Sequence, residues 1–524
     1  MSHFSLFLCK TVSQGKGSAR LSQRAPGLGR SRDEPSVNPF RHRWQPYFLG
    51  DECLPKNTDL GKDGIGHLML RLAVPAIAAQ VINALYNIVD RIYIGNLPGA
   101  QGTQSIAALG VSLPLIVVIS AFGSLVGIGG SALAAIRMGE GQQEKANRIL
   151  NNCLPLVVIF SLILTAVCEF FCRDLLLLVG ATENTIDYAE QYFSIYAWGT
   201  LPVLLVLGLN AFINTQGFAT TSMLTVLIGA VCNIILDPIL IYGLGMGVIG
   251  AAIATVFSQT ISAVWVVCFL CGKKTKLRLY PPHMRLEWKL IGPVLALGAS
   301  PFIMSATESL VGIVINTSLR SVSLDLATAD MYVGAYSIIA SVMQLVMMPL
   351  TGLSQGAQPI ISYNYGAANF DRVRKAYKCF LFTAVGFTGF MWASCLLFPG
   401  LFVRMFNSDA GLIAATVPAM RIYMGGIGIF GIQIACQQTF VATGHAKISL
   451  FLALLRKVIL LVPLILLFSR FWGATGVFAA EPVADITAVI STALAFFLSR
   501  RSVFGSAGKE ERTADDAALT SRNP

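Results

Sequence analysis

Apolar residues in this chain do not alternate with polar ones; they run on for twenty residues and more between short polar breaks. A helix needs about 20 such residues to cross roughly 30 Å of hydrocarbon. A window of that length predicts twelve spans, near 67–94, 106–136, 149–171, 187–213, 219–243, 247–271, 288–317, 331–360, 376–398, 412–442, 446–469 and 473–499. Membrane barrels are built from segments of about ten alternating residues, and these runs are too long and continuous for that. The pattern predicts an all-α polytopic membrane protein.

Composition agrees: 55% of the 524 residues are hydrophobic and only 12% charged, which is not the make-up of a soluble domain. Residues 1–60 differ in kind. They include SQGKGSARLSQRAPGLGRSRDEPS, without a sustained apolar period, and read as a disordered cytoplasmic extension; an upstream start site included in error would read the same way. FSLFLC is too short for the core of a signal peptide. Residues 501–524 read as a second solvated tail.

Fourteen Lys and Arg fall in the loops on one side of the predicted spans, against four on the other, namely Arg173, Arg320, Arg404 and Arg470. Basic loops stay inside, so both termini are expected in the cytoplasm, with the chain in the plasma membrane. The net charge of +11 is mostly this asymmetry plus the tails, so no nucleic-acid partner is implied.

The chain also repeats itself. A shift of about 226 residues lays Pro75 on Pro301, Gly130 on Gly356, Gly247 on Gly473 and Gly250 on Gly476, and GEGQQEKANR falls on GAANFDRVRK. Two six-helix halves in the same orientation follow, 61–275 and 276–500. A parallel repeat of this kind is a transporter architecture, with the substrate path between the halves.

Motors and catalytic centres are missing from the sequence. GKG, GKD and GKK occur, but none is followed by the hydroxyl residue of a phosphate-binding loop. There is no HExxH, and the five histidines lie in tails or loops, so neither a metal centre nor a cofactor is expected. The eleven cysteines suggest no disulfide pattern. GIGGSA at 127–132 reads as a small-residue packing face.

What remains are ionisable groups inside spans, each costing about 2.5–3.5 kcal/mol at mid-membrane on insertion scales. In the first half these are Asp90 and Asp237. Helices 1 and 5 run in the same direction, and both aspartates lie roughly 7–9 Å short of the outer end; Thr255 lies about 12 Å below the start of helix 6. Asn233 and Asp237, four apart, share a helix face. Pro238 has no N–H to give the carbonyl of Ile234, so a loose backbone oxygen lies one turn from a carboxylate. Such hard ligands suit a proton or Na⁺. The plainer alternative is that Asp90 pairs with Arg91 and Asp237 caps its helix.

At these residues the sequence resembles the multidrug and toxic compound extrusion family of cation-coupled transporters, through VDRIYIG (89–95), AALGVSLPL (107–115), GEGQQEKA (139–146), NTQG (214–217) and NIILDP (233–238). The resemblance covers about 67–500. It implies two bundles around a central cavity, alternating access, and antiport of bulky, often cationic small molecules against H⁺ or Na⁺ by a monomer in the lipid bilayer. The family's ion site in members with this pattern corresponds to Asp90, Asn233, Asp237 and Thr255.

The second half departs from the branch that carries a helix 7 glutamate and a helix 10 aspartate. Glu308 lies near the first position, but the second reads Ile432, so a sodium site is not expected there. The repeat lays Asp90 on Asn316 and Thr255 on Glu481. The second-half polar cluster is instead Glu308, Arg421, Arg456, Lys457, Glu481 and Asp485, read first as internal salt bridges. A lipid-linked saccharide flippase of the same superfamily is the alternative, for which Arg421, Arg456 and Lys457 are the supporting features.

Overall fold

A computed structural model describes residues 59–505 apart from 99, 184, 281–283, 285, 324 and 408. Most of the N-terminal extension and the tail beyond 505 lie outside the described residues.

The long apolar runs form α1 (Ile65–Gly95), α2 (Ala100–Gly139), α3 (Gln143–Phe170), α4 (Ile186–Trp198 and Thr200–Thr215), α5 (Ala219–Gly243), α6 (Gly247–Cys271), α7 (Trp288–Val322), α8 (Leu326–Gly366), α9 (Phe370–Leu397) and α10 (Ala410–Ala442). The stretch Ala446–Val503 breaks at Gly473, whose φ of 57° only glycine adopts readily, into α11 before it and α12 after it. Twelve spans result among the described residues, and α4 is bent by 53° at Gly199. Their outer surface is apolar: Leu162, Phe390 and Ile490 are exposed, as a lipid-facing surface requires.

Within the first half α1 packs on α5, α2 on α3 and α4, and α6 on α4 and α5. In the second, α9 packs on α10 and α7 on α11. The halves meet through α1 and α2 against α7 and α8. Glycines let these backbones touch. A β-carbon on Gly129 would overlap the Val294 carbonyl oxygen, one on Gly298 that of Leu125, one on Gly139 that of Tyr363 and one on Gly366 that of Ile136. Gly352 and Gly356 meet the backbone of Ile77 and Ala73. GIGGSA is thus a packing face in which each glycine serves a different neighbour: Gly127 approaches α4, Gly129 α7, and Gly130 the Cys153 and Phe212 side chains.

All the approaches between the halves lie toward the end that carries the basic loops, called here the basic end. Three turns along from Ile77, Ile88 of α1 is exposed; two turns along from Gly352, so is Leu345 of α8. The helices have parted there, and a cleft opens away from the basic end.

Two chain segments fasten the basic end. Asn147, Asn151 and Asn152 of α3, with Gln216, hydrogen-bond the backbone of Leu277, Arg278, Tyr280 and Glu287, holding the inter-half linker to the first half. Conversely, Asp59–Asp63, leading into α1, is held by the second half. Asn364 Nδ2 donates to Leu60 O (2.9 Å), and Arg372 Nη2 to Leu60 O (3.2 Å) and Asp63 O (2.7 Å). Hydrogen bonds from a charged donor contribute about 1.5–3 kcal/mol. Arg372→Ala is expected to release this segment, read as roughly tenfold faster labelling of Leu60→Cys, buried in the wild type. Unchanged labelling would mean that packing alone holds it.

Candidate functional site

NIILDP lies where α5 changes character. The α-helix runs from Ala219 to Pro238 and continues as a π-helix over Ile239–Gly243. Proline removes one rung of the ladder, and the wider turn re-pairs the chain beyond it. Gly250 of α6 packs directly on the Leu240 carbonyl, and the Tyr242 hydroxyl donates to the Tyr93 carbonyl, tying this end of α5 to α1 one turn from Asp90.

Asn233 and Asp237 do share a face: Asn233 Nδ2 donates to Asp237 Oδ1 at 3.1 Å. Asp237 is fully buried, Asn233 is 2% exposed and Asp90 7%. The two aspartates lie within each other's electrostatic reach. Asp90 Oδ1, Asp237 Oδ2 and Asn233 Oδ1 are buried without a hydrogen-bond partner among the described residues. Arg91, next in sequence, is exposed where Asp90 is buried, and leaves that oxygen unpartnered.

Thr255 enters the site through a residue that the sequence did not single out. Tyr192 lies beside Thr255 and within the field of Asp90. Tyr86, one turn before Asp90, lies beside Gln259 and also within that field, and Tyr196 lies beside Ser120. Tyr192 and Tyr196 stack at 6.3 Å between ring centroids. Two tyrosines, Tyr86 and Tyr192, thus lie near Asp90, with Tyr196 beside them, and a tyrosine hydroxyl can donate or accept. Their only sequence signal was the four-residue spacing of Tyr192 and Tyr196 in QYFSIYAW, which in an apolar helix reads as packing.

The second half is built on a similar break. A π-helix over Leu455–Leu461 interrupts α11 and carries Arg456 and Lys457. Arg456 donates to Asp485 (2.8 Å) and Glu481 (3.4 Å) and lies 4.3 Å from the centre of the Phe430 ring. Lys457 Nζ meets Glu308 Oε2 at 2.9 Å. Arg421 stands apart: it is exposed at the end of a helical segment, before a 3₁₀ turn at Met424–Gly426, and Arg456 is the guanidinium in the cluster. Asn316, on which the repeat lays Asp90, offers no charge.

A family model, MatE, matches residues 75–239 and 302–467, one stretch in each half. The multidrug export protein MepA of Staphylococcus haemolyticus is 24% identical over 435 residues, 83% of this chain and 94% of MepA. MepA of Staphylococcus aureus (strain NCTC 8325) is 22% identical over 440 residues, 84% of this chain and 95% of its own length. The fold matches a multidrug resistance MATE family transporter of the MOP superfamily in an outward-facing conformation (TM-score 0.78, 22% identity, 88% of this chain and 100% of that one). It also matches a MOP superfamily transporter from Pyrococcus furiosus (TM-score 0.77, 22% identity, 86% and 99%). With its two matched halves, repeated helices and break at NIILDP, the chain belongs to the MatE family, the multidrug and toxic compound extrusion transporters that its sequence resembles.

Proposed function

We propose that this protein is a secondary active multidrug exporter that moves bulky, often cationic small molecules out of the cell against H⁺ or Na⁺. The observation that carries the reading is the pair of buried carboxylates, Asp90 and Asp237, with unpartnered oxygens on adjacent helices of the first half. Carboxylates without a resident counter-charge are loaded and unloaded by an exchangeable cation, and their position at one depth lets both share it. Asn233 orients Asp237, while Thr255 and the tyrosines supply neutral oxygens around the ion. Ion and drug exchange as the cleft opens alternately to the two sides, by one half rocking against the other. Relatives named multidrug export proteins support the substrate class. A flippase for lipid pyrophosphates would need free cations, whereas Arg456 and Lys457 are both paired with carboxylates.

The loop charges support a cytoplasmic basic end with both termini inside. Labelling from outside is expected at cysteines engineered at Gly245 but not at Gln142; the reverse pattern would invert the direction of transport. The decisive test is dye uptake into inverted vesicles with pH and Na⁺ gradients imposed separately. Uptake should follow at least one gradient and stop when it is collapsed. Uptake indifferent to both would refute antiport.

A further inference from the structure

The second-half cluster contains three carboxylates, Glu308, Glu481 and Asp485, but two cations, Arg456 and Lys457. Arg456 is fixed from three sides by Asp485, Glu481 and the Phe430 ring. Glu481 and Asp485 are 3% and 1% exposed, yet Glu481 Oε2 and Asp485 Oδ2 have no hydrogen-bond partner among the described residues. Buried acceptors of this kind call for another donor. Lys457 is near Glu481, since its charge acts on it, but its ammonium is engaged by Glu308.

Glu308 is the open member. Its side chain is 65% exposed while that of Lys457 is 5% exposed. It lies ten residues along α7 from Gly298, beyond the contact between α7 and α2 at the basic end. A molecule that approaches the cluster from outside therefore meets Glu308 before any other of its charges.

We propose that Glu308 is the docking carboxylate for the positive group of a monovalent organic cation, and that Lys457 is its resident substitute, displaced by the ligand onto the unpartnered oxygen of Glu481. Before binding, one carboxylate charge is uncompensated and two buried oxygens lack donors. After binding, Glu308 pairs with the ligand, Lys457 with Glu481, and Arg456 with Asp485. One added positive charge closes the set, so the site suits a monocation. A neutral drug gives Lys457 no reason to leave Glu308. Lys457 thus sets selectivity, because the ligand competes with its ammonium. This inference rests on the exporter reading above.

The test is equilibrium binding of ethidium, a monocation, and Nile red, a neutral dye, to purified full-length protein. Glu308→Gln, at a largely exposed position, should weaken ethidium binding roughly tenfold and leave Nile red unchanged. Lys457→Gln removes the competitor and should tighten ethidium binding, whereas Lys457→Arg should behave as wild type. A static brace predicts that Glu308→Gln and Lys457→Gln weaken both dyes alike. That result, or normal ethidium binding by Glu308→Gln in a protein whose wild type exports dye, overturns this proposal alone. Wild-type protein that neither binds nor moves either dye overturns the exporter reading as well.

Discussion

Asp237→Asn is expected to reduce gradient-driven dye transport to the level of vesicles without the protein, at equal abundance and with dye binding retained. Asparagine has nearly the same volume and still accepts from Asn233, so α5 and its π-helical end should stand. What it cannot do is change charge during a cycle. Asp90→Asn should give the same loss, because the two carboxylates lie within one another's field and would share one ion. Simple capping makes a different forecast, and the structure already argues against it. Asp237 precedes the π-helical end of α5, where unpaired groups are carbonyls, and a carboxylate has no proton to offer them. Near-normal transport by Asp237→Asn would remove this residue from the coupling site.

The second large effect concerns closure of the basic end. Gly366→Ala places a β-carbon on the Ile136 carbonyl oxygen, and only backbone movement relieves it. Overpacking of this sort costs about 1–3 kcal/mol, enough to shift a two-state balance roughly five- to hundredfold. Ser362 of α8 is fully buried, so Ser362→Cys should resist labelling from the basic side in an otherwise wild-type protein and react readily when Gly366→Ala is added. Transport should fall together with the seal. Gly386→Ala is the control, because nothing lies within 4 Å of the added atom. Equal labelling of both variants would mean that the glycine contacts do not hold the end shut.

Much of this protein can be read from the order of its residues. Hydrocarbon imposes a minimum length on every helix and a heavy cost on every charge, so twelve spans and the candidates Asp90, Asn233 and Asp237 stand out against the apolar background. Helix ends are less legible. The 331–360 span is part of a helix from Leu326 to Gly366, because helical hydrogen bonding continues past the apolar window. The bend of α4 at Gly199 was likewise invisible, since a glycine followed by continued apolar sequence reads as one helix.

The tertiary structure decided which polar groups meet. Tyr86 and Tyr192 became site residues because helix packing brought them near Asp90; in sequence they look like packing. The second half shows the same division. Its charges were visible, but their partners depended on how far each helix is wound. The π-helix at Leu455–Leu461 lets the consecutive Arg456 and Lys457 reach acids on different helices, while Arg421 ends exposed before a 3₁₀ turn. Winding is set by packing against neighbours, and a single apolar run carries no record of it. The closed basic end follows the same logic: Gly139 and Gly366 were visible as glycines, but only the docking of α2 against α8 put each beneath a carbonyl of the other half.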